Sequence, residues 1–289
     1  MRRTPLPGPR RAGVPELPEV EATRRGLLPY LVGRRIEHVS VLHPRVVRRQ
    51  LRPTDFHDRL VGRTVLRLDR HGKFLLVRLD ADLHWVTHLG MSGRLRIVGS
   101  NADLELHTRV SVGLGDANDL RFVDTRTFGF MTVWTDAELA ESSLRRLGRD
   151  AFTDLPPSRE LEAGLTNRTA PIKALLLDQR IVAGVGNIYA DETLHRAAIA
   201  PLRAGGSLDG GEVKRLRAGI RASLAAGIAA GGTSLDDLAY LLPDGRAGSF
   251  LEQLRVYGRE GESCRRCGGG IRRTVIRGRS SFWCSGCQT

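Results

Sequence analysis

The pattern of apolar and polar residues changes along the chain and divides it into regions with different predicted secondary structure. Val20, Leu27 and Leu31 recur at helical spacing after Pro18, which suits the first turn of a helix, and Pro29 should end or bend this helix. From residue 36 to residue 134, short segments alternate apolar and polar positions and are separated by turn residues. Several strands at such regular spacing predict an antiparallel sandwich or barrel.

Beyond residue 135 the apolar period becomes helical. Candidate helices cover about 136–147, 158–166, 169–180, 187–197 and 208–230, and a short one covers 250–255. In the longest of them an apolar residue recurs every three or four positions from Val213 to Ile228, which is typical of a face packed in a core. We therefore predict an α+β fold of several domains: a β-rich domain at 15–134, a helical domain at 135–249 and a small C-terminal module at 250–289.

The charge of the chain predicts a polyanionic partner. Its 45 Lys and Arg residues exceed the 32 Asp and Glu residues, which gives a net charge of +13. An arginine-rich proteome would explain the same excess without such a partner. No apolar run reaches the roughly 20 residues of a membrane span, and the first 14 residues lack the apolar stretch of a secretory signal. We expect a cytoplasmic protein that binds nucleic acid.

All four cysteines lie near the C-terminus in the pattern C-x2-C-x16-C-x2-C. Four thiolates at this spacing suit one tetrahedral zinc ion, and a site with four protein ligands has no open position, so the metal should be structural. The residues between the pairs alternate like a hairpin, with its turn at Gly278-Arg279 and Arg279 held toward DNA. A ribbon that only stabilises the fold is the alternative. The predicted zinc ligands are Cys264, Cys267, Cys284 and Cys287.

Three further motifs could carry chemistry. The stretch A-G-V-G-N-I-Y-A-D-E at 183–192 places Asn187 at a helix start after a glycine-rich turn, a geometry that can bind phosphate, although such turns are common. The stretch H-L-G-M-S-G at 88–93 contains Met91 at the end of an apolar strand. In D-T-R-T-F-G at 124–129, Arg126 and Phe128 should project from one face of a strand. An exposed Met91 beside them would form a wedge that separates base pairs, whereas composition alone favours a core position.

These motifs, together with P-E-L-P-E-V-E from Pro15, occur in the order and spacing of the formamidopyrimidine-DNA glycosylases, bacterial repair enzymes for oxidised purines. The resemblance runs from Pro15 to Cys287. It implies an N-terminal helix with a β-sandwich, a helix–two-turn–helix domain and a zinc finger, with double-stranded DNA bound between the halves. It also implies that the protein excises 8-oxoguanine and formamidopyrimidines, and then cleaves the backbone at the abasic site by β- and δ-elimination.

The resemblance further implies roles for individual residues. Pro15 would be the nucleophile that forms a Schiff base with deoxyribose C1′, Glu16 the acid, Lys73 the lysine of β-elimination and Arg279 the arginine of δ-elimination. Glu19 and Glu192 match further carboxylates of the active site. The residues that match DNA-contacting or void-filling positions are Met91, His107, Arg126, Phe128, Arg168, Lys173 and Asn187.

The leader before Val14 bears on this chemistry. A proline inside a chain is a tertiary amide whose nitrogen lone pair is delocalised, so Pro15 could not attack a sugar. Either the leader is translated, and the protein is processed or catalytically silent, or translation starts at Val14 on a GUG codon read as methionine, whose removal exposes Pro15. We favour the second interpretation, and we expect residues 1–13 to be disordered in either case.

Two other functions fit the same residues. An endonuclease VIII-like glycosylase for oxidised pyrimidines usually opens with P-E-G-P-E, whereas Leu17 follows the purine-enzyme pattern. A non-catalytic protein that binds damaged DNA would result if the leader is retained. We expect a monomer, because the whole apparatus lies in one chain.

Overall fold

The computed structural model describes residues 14–115, 117–234 and 240–289. The expectation of disorder for residues 1–13 therefore lies outside the described residues.

The N-terminal half forms two four-stranded antiparallel sheets, in the strand orders β1-β6-β7-β5 and β2-β3-β4-β8. A core that includes Phe56, Trp85 and Phe122 lies in this half of the molecule. The antiparallel sandwich predicted from the alternating segments is confirmed. Its strands are β1 His38–Val41, β2 Val65–His71, β3 Phe74–Leu79, β4 Leu83–His88, β5 Gly93–Gly99, β6 Thr108–Gly113, β7 Asn118–Asp124 and β8 Phe130–Thr135.

Helix α1, Leu17–Leu31, belongs to both halves of the molecule. It begins with a capping box between Glu16 and Glu19 and continues past Pro29, which lies in its last turn and leaves the helix only two more residues. Leu17 packs into the core of the helical domain, whereas Val20 packs into the core of the β-rich domain. The start of α1 is therefore located where the two cores meet.

The helical domain surrounds a second core built on the buried face of α7, from Val213 to Ile228. Helix α6 has the predicted bounds, but α3 ends at Glu141 because a 3-10 turn at Ser143–Arg146 follows. Helix α5 is shorter than predicted at both ends, since it begins after Pro171 and ends at Leu176. The helices that follow α1 are α2 Pro53–Leu60, which was not predicted, α3 Asp136–Glu141, α4 Ser158–Leu165, α5 Ile172–Leu176, α6 Asn187–Ala197 and α7 Gly210–Ala229.

The C-terminal module is a ribbon of two antiparallel strands, β9 Ile271–Ile276 and β10 Arg279–Cys284. Its turn consists of Arg277 and Gly278, both with positive φ (46° and 75°), as a two-residue turn of this twist requires. Arg279 is therefore the first residue of β10, one position after the turn, and not part of the turn as predicted.

Within the described ranges, none of the helices is long and apolar enough to cross a membrane.

Candidate active site between the two cores

A cavity of about 510 Å³ opens between the β-rich domain, the helical domain and the ribbon. Each of these three parts contributes lining residues. The predicted site residues that line it are Glu16, Lys73, Met91, Asn187 and Arg279. Five residues from distant parts of the sequence thus meet in one place.

Glu16 occupies the positive end of helix α6. Its Oε1 accepts a hydrogen bond from the backbone N–H of Ile188 (2.8 Å) and its Oε2 accepts one from Tyr189 (3.3 Å). Gly186 is required here, because a Cβ at this position would lie 2.2 Å from the carboxyl carbon of Glu16. The sequence analysis noted that such a glycine-rich turn can bind phosphate; in the structure, the N–H groups of Ile188 and Tyr189 bind the Glu16 carboxylate.

Glu19 fixes the backbone on which Glu16 is mounted. It is buried, and its carboxylate accepts hydrogen bonds from the N–H of Glu16 (2.9 Å), the N–H of Thr233 (2.7 Å) and the hydroxyl of Tyr189 (2.9 Å). Burial raises the pKa of Glu19 above its ordinary value. The Glu19 carboxylate thus holds the start of α1, and with it the backbone of Glu16, against the helical domain.

Pro15 is buried between two residues that both line the cavity. Val14 is 37% exposed and Glu16 only 2%. The nitrogen of Pro15 is an amide nitrogen in this chain, so its position is suited to chemistry in the cavity only if the residues before it are absent.

The cavity contains an acid and an amine whose ordinary titration is shifted toward neutral pH. Burial raises the pKa of Glu16 to about 7, and the charge of Lys73 only partly opposes this effect. Burial also lowers the pKa of Lys73, with a further decrease from the nearby charge of Arg279. Burial thus favours the neutral form of both groups, the protonated acid of Glu16 and the free amine of Lys73, which suits proton transfer.

A buried ion-pair network holds Lys73 at the mouth of the cavity. Lys73 and Gly72 form the two-residue turn between β2 and β3. Arg70 donates to Glu21 of α1 (3.1 Å) and makes two bonds to Asp150 (2.5 and 3.0 Å), while Asp150 also accepts the N–H of Gly72 (2.8 Å). The turn is thereby fastened to both halves of the molecule.

Met91, Arg126 and Phe128 lie in loops, which corrects the prediction that they project from strands. Met91 is in the turn between β4 and β5, and the other two lie between β7 and β8, where Thr127 has φ +54°. The Arg126 guanidinium lies 5.0 Å from the centre of the Phe128 ring, which is 42% exposed. Phe128 is not a core residue, and the wedge interpretation is the one that its exposure favours.

His107 and Arg168 lie outside the cavity. His107 is half-buried; its ring bonds Arg109 (3.2 Å) and its carbonyl accepts the N–H of Asp124 (3.1 Å), next to the loop of Phe128. Arg168 is exposed in the segment after α4. Both side chains are open to a ligand that extends beyond the cavity.

Lys173 is fully buried and not on a surface, contrary to its expected place among the DNA contacts. Its Nζ lies 2.7 Å from a carboxylate oxygen of Asp191 and donates to the carbonyl of Ser280 (2.8 Å), which also accepts from Asn187 (3.1 Å). An ammonium group so enclosed cannot reach a DNA phosphate without breaking these bonds. In this structure Lys173 joins α5 and α6 to the ribbon.

Glu192 lies outside the cavity, although it was expected among the active-site carboxylates. It is fully buried and accepts the backbone N–H groups of Arg255 (3.0 Å), Val256 (2.9 Å) and Tyr257 (3.1 Å). Its carboxylate thus anchors the segment that leads into the ribbon, and Tyr257 of that segment lines the cavity.

The four cysteines form one cluster that fits a metal ion. Their Sγ atoms all lie within 4.8 Å of one another, with Cys264 and Cys287 at 3.8 Å and Cys267 and Cys284 at 3.5 Å. Four sulfurs at about 2.3 Å from a tetrahedral zinc ion would be about 3.8 Å apart. The arrangement of these thiols therefore matches a four-cysteine metal site.

Comparison with known proteins identifies the family. Two family models match the chain: the formamidopyrimidine-DNA glycosylase N-terminal domain over residues 14–131 and the formamidopyrimidine-DNA glycosylase H2TH domain over residues 147–238. A formamidopyrimidine-DNA glycosylase of Xanthomonas campestris is 42% identical over 95% of this chain and 100% of its own length, and one of Geobacillus kaustophilus is 41% identical over the same shares. The chain belongs to the formamidopyrimidine-DNA glycosylase family.

Solved structures of this family have the same fold. The FPG (MutM) protein of Thermus thermophilus superimposes with a TM-score of 0.85 at 40% identity, over 95% of this chain and 98% of that one. A mutant FPG of Lactococcus lactis in complex with DNA containing Fapy-dG gives a TM-score of 0.88 at 31% identity, over 95% and 100%. The predicted family and the multi-domain α+β fold with a helix–two-turn–helix domain are confirmed, and the chain is an enzyme, a DNA glycosylase of base-excision repair.

Two titratable residues that line the cavity of this glycosylase, His88 and Tyr257, were not predicted. His88 stacks on Phe130 (5.7 Å), its Nδ1 accepts the N–H of Gly90 (3.1 Å), and burial lowers its pKa to about 4, so its ring is neutral. Tyr257 has its pKa raised to about 12, mainly by burial, and keeps its hydroxyl proton. The signal for His88 was present in H-L-G-M-S-G, but a histidine at the end of an apolar strand is more often a core residue.

Proposed function

We propose that this glycosylase removes oxidised purines, 8-oxoguanine and formamidopyrimidines, from double-stranded DNA and then cleaves the resulting abasic site by β,δ-elimination through a Schiff base at Pro15. The observation that carries the proposal is the pairing of Glu16 with Lys73 in one cavity beside Pro15. In support, relatives of the same fold were solved with DNA containing Fapy-dG and with DNA containing an abasic site.

The first step needs a free amine at Pro15, so the active form begins at that residue. The α-amino group titrates near 8, and the unprotonated fraction at neutral pH attacks deoxyribose C1′. The N–C1′ bond forms as the bond from C1′ to the base breaks, and the base leaves with a proton from Glu16. Ring opening transfers the proton of the attacking nitrogen to O4′ and leaves an iminium between Pro15 and C1′.

The second step breaks the DNA backbone. The iminium makes the C2′ proton acidic; its loss expels the 3′ phosphate, and a second elimination expels the 5′ phosphate. We assign proton transfer in β-elimination to Lys73, whose lowered pKa favours a neutral amine, and δ-elimination to Arg279. Water then hydrolyses the iminium and regenerates the Pro15 amine.

The remaining predicted residues would bind DNA. Asn187 lies beside the reacting groups, His107 and Arg168 lie further out, and Met91, Arg126 and Phe128 would fill the space that the flipped base leaves. Zinc on the four cysteines would hold the ribbon so that Arg279 stays at the cavity. We propose domain bounds at 15–134, 135–249 and 250–289.

A lesion-cutting assay tests this function. Duplexes that carry 8-oxoguanine, a formamidopyrimidine or an oxidised pyrimidine are incubated with the protein that begins at Pro15 and with its Glu16→Gln variant. We expect cleavage of the two purine substrates and its loss in Glu16→Gln. The pyrimidine duplex is included because one Lactococcus lactis FPG structure contains DNA with an oxidised pyrimidine. Faster cleavage of this duplex than of the purine duplexes would instead indicate the endonuclease VIII-like specificity. Tight binding to an abasic analogue without cleavage would indicate a damage-binding protein.

A further inference from the structure

The void-filling residues stand on two separate loops that regular strand pairing does not hold. Met91 belongs to the turn between β4 and β5, and Arg126 and Phe128 belong to the loop between β7 and β8. The loops approach closely, since a Cβ on Gly90 would lie 2.3 Å from the backbone nitrogen of Gly129. Some other interaction must set the position of one loop relative to the other.

Asp124, the last residue of β7, provides this interaction. Its side chain is fully buried; Oδ1 accepts the hydroxyl of Ser92 (2.6 Å) and the N–H of Arg126 (3.2 Å), and Oδ2 accepts the N–H of Gly129 (2.8 Å). The N–H of Arg126 is shared with the Ser92 hydroxyl oxygen (3.1 Å). One carboxylate thus bonds the residue next to Met91, the backbone of Arg126 and the residue next to Phe128.

Arg48 holds the same loop from its exposed side. Its guanidinium donates to the carbonyl oxygens of Phe128 (3.0 Å) and Gly129 (2.7 Å). The buried Asp124 carboxylate therefore binds N–H groups of this loop, and the exposed Arg48 guanidinium binds its carbonyl oxygens. Both groups bind backbone atoms, and the ring of Phe128, beside the Arg126 guanidinium, stays 42% exposed.

We propose that Asp124 is a positioning residue that presents Met91, Arg126 and Phe128 as one preformed unit for insertion into DNA. This inference rests on the proposed function, because it concerns the separation of a lesion from its partner base. An ionised carboxylate accepts hydrogen bonds through both oxygens, whereas an Asn amide accepts through only one. Asp124→Asn therefore leaves at least one of the three donors without an acceptor while the side-chain volume is unchanged.

Two readouts separate positioning from general stability. In duplex DNA that carries a non-cleavable abasic analogue opposite 2-aminopurine, insertion of the unit should change the fluorescence of that base. For Asp124→Asn we expect loss of most of this change at saturating protein, with binding followed separately by anisotropy. We also expect single-turnover excision of 8-oxoguanine from duplex DNA to slow about tenfold, while cleavage of an abasic site in single-stranded DNA, where no pair must be separated, stays within about twofold.

Asp119→Asn is the matched control, because Asp119 is a buried aspartate of the same strand that accepts the Ser111 hydroxyl far from the loop. It should leave both readouts as in the parent protein. If Asp124→Asn lowers the melting temperature by many degrees, Arg48→Ala on the exposed side carries the test, with a smaller effect in the same direction.

An unchanged fluorescence response in Asp124→Asn and Arg48→Ala would overturn the proposal, as would an equal loss of duplex and single-strand cleavage. If the parent protein cleaves neither substrate but its fluorescence response is lost in Asp124→Asn, the positioning role stands and the proposed catalytic function fails.

Discussion

The carboxylate of Glu16 accepts a hydrogen bond from the backbone N–H of Ile188 at 2.8 Å, although 172 positions separate the two residues. This bond joins the start of α1 to the start of α6. The partial positive charge at the helix end favours the ionised carboxylate, whereas burial favours the protonated one. Burial is the larger effect, since the pKa of Glu16 is raised to about 7.

Base excision should therefore depend on the protonation of Glu16. Excision needs both protonated Glu16 and the unprotonated Pro15 amine, which titrates near 8, so we expect the single-turnover excision rate to reach a maximum between about pH 7 and 8 and to fall on either side. Glu16→Gln should lower excision by about a hundredfold or more and should leave cleavage of a preformed abasic site largely intact. Rates of both reactions between pH 5 and 9 measure this. An equal loss of both reactions in the variant would contradict the role of Glu16 as the acid of excision.

The same raised pKa makes the stability of the protein depend on pH. The folded-state pKa of Glu16, about 7, lies above its ordinary value of 4.5. Its stabilising effect is therefore fully present below pH 4.5 and is lost as pH rises through 7, on the order of 3 kcal/mol in total. Denaturant unfolding of the parent protein and Glu16→Gln at pH 5 and pH 8 isolates this contribution. Identical pH dependence in the two proteins would show that Glu16 titrates normally.

Arg70 should be among the residues most costly to replace. Arg70→Met leaves the buried carboxylate of Asp150 without its ion-pair partner and removes one of the three arginines that bind Glu21, which should lower the free energy of unfolding by about 3–5 kcal/mol. Arg67→Met on the same strand is the matched control, because its pair with Asp69 is exposed and should contribute about 0–1 kcal/mol. Similar losses in both variants would mean that burial of the network contributes little.

Removal of the metal should release Arg279 from the cavity. We expect about one zinc ion per chain by elemental analysis, and its loss in Cys267→Ser, together with weaker binding to abasic-site DNA. Ser285→Ala changes an exposed residue between Cys284 and Cys287, the other cysteine pair of the cluster, and should keep the metal. Full zinc content in Cys267→Ser, or DNA binding that does not change when zinc is lost, would contradict this role of the ribbon.

Features governed by local sequence were predictable. Helix α6 has the predicted bounds because a glycine-rich turn precedes it and Ala198, in a left-handed conformation, ends it. The four-cysteine cluster was likewise encoded by short spacings. Features that depend on distant partners were not predictable: Lys173 is buried because Asp191 and Ser280 enclose it, and the glycine-rich turn binds Glu16 rather than a phosphate.

The loops that contain Met91 and Phe128 show a similar division. The two motifs that contain Met91 and Phe128 were visible in the sequence. The strand predicted to include Phe128 ends at Asp124, however, because the Asp124 carboxylate binds the N–H groups of Arg126 and Gly129, which a continued strand would pair. The bond from the Ser92 hydroxyl, 32 positions away, is the part of this arrangement that no local pattern predicts. The motifs therefore identified the residues of these loops, whereas the contacts that hold them are visible only in the structure.

Borohydride trapping tests the central claim most directly. The protein that begins at Pro15 and the full 289-residue chain are each incubated with abasic-site DNA and borohydride, and the adduct is located by peptide mass mapping. We expect an adduct only in the first protein, on the N-terminal peptide at Pro15. An adduct at Lys73, or equal trapping by both proteins, would contradict the Pro15 Schiff base.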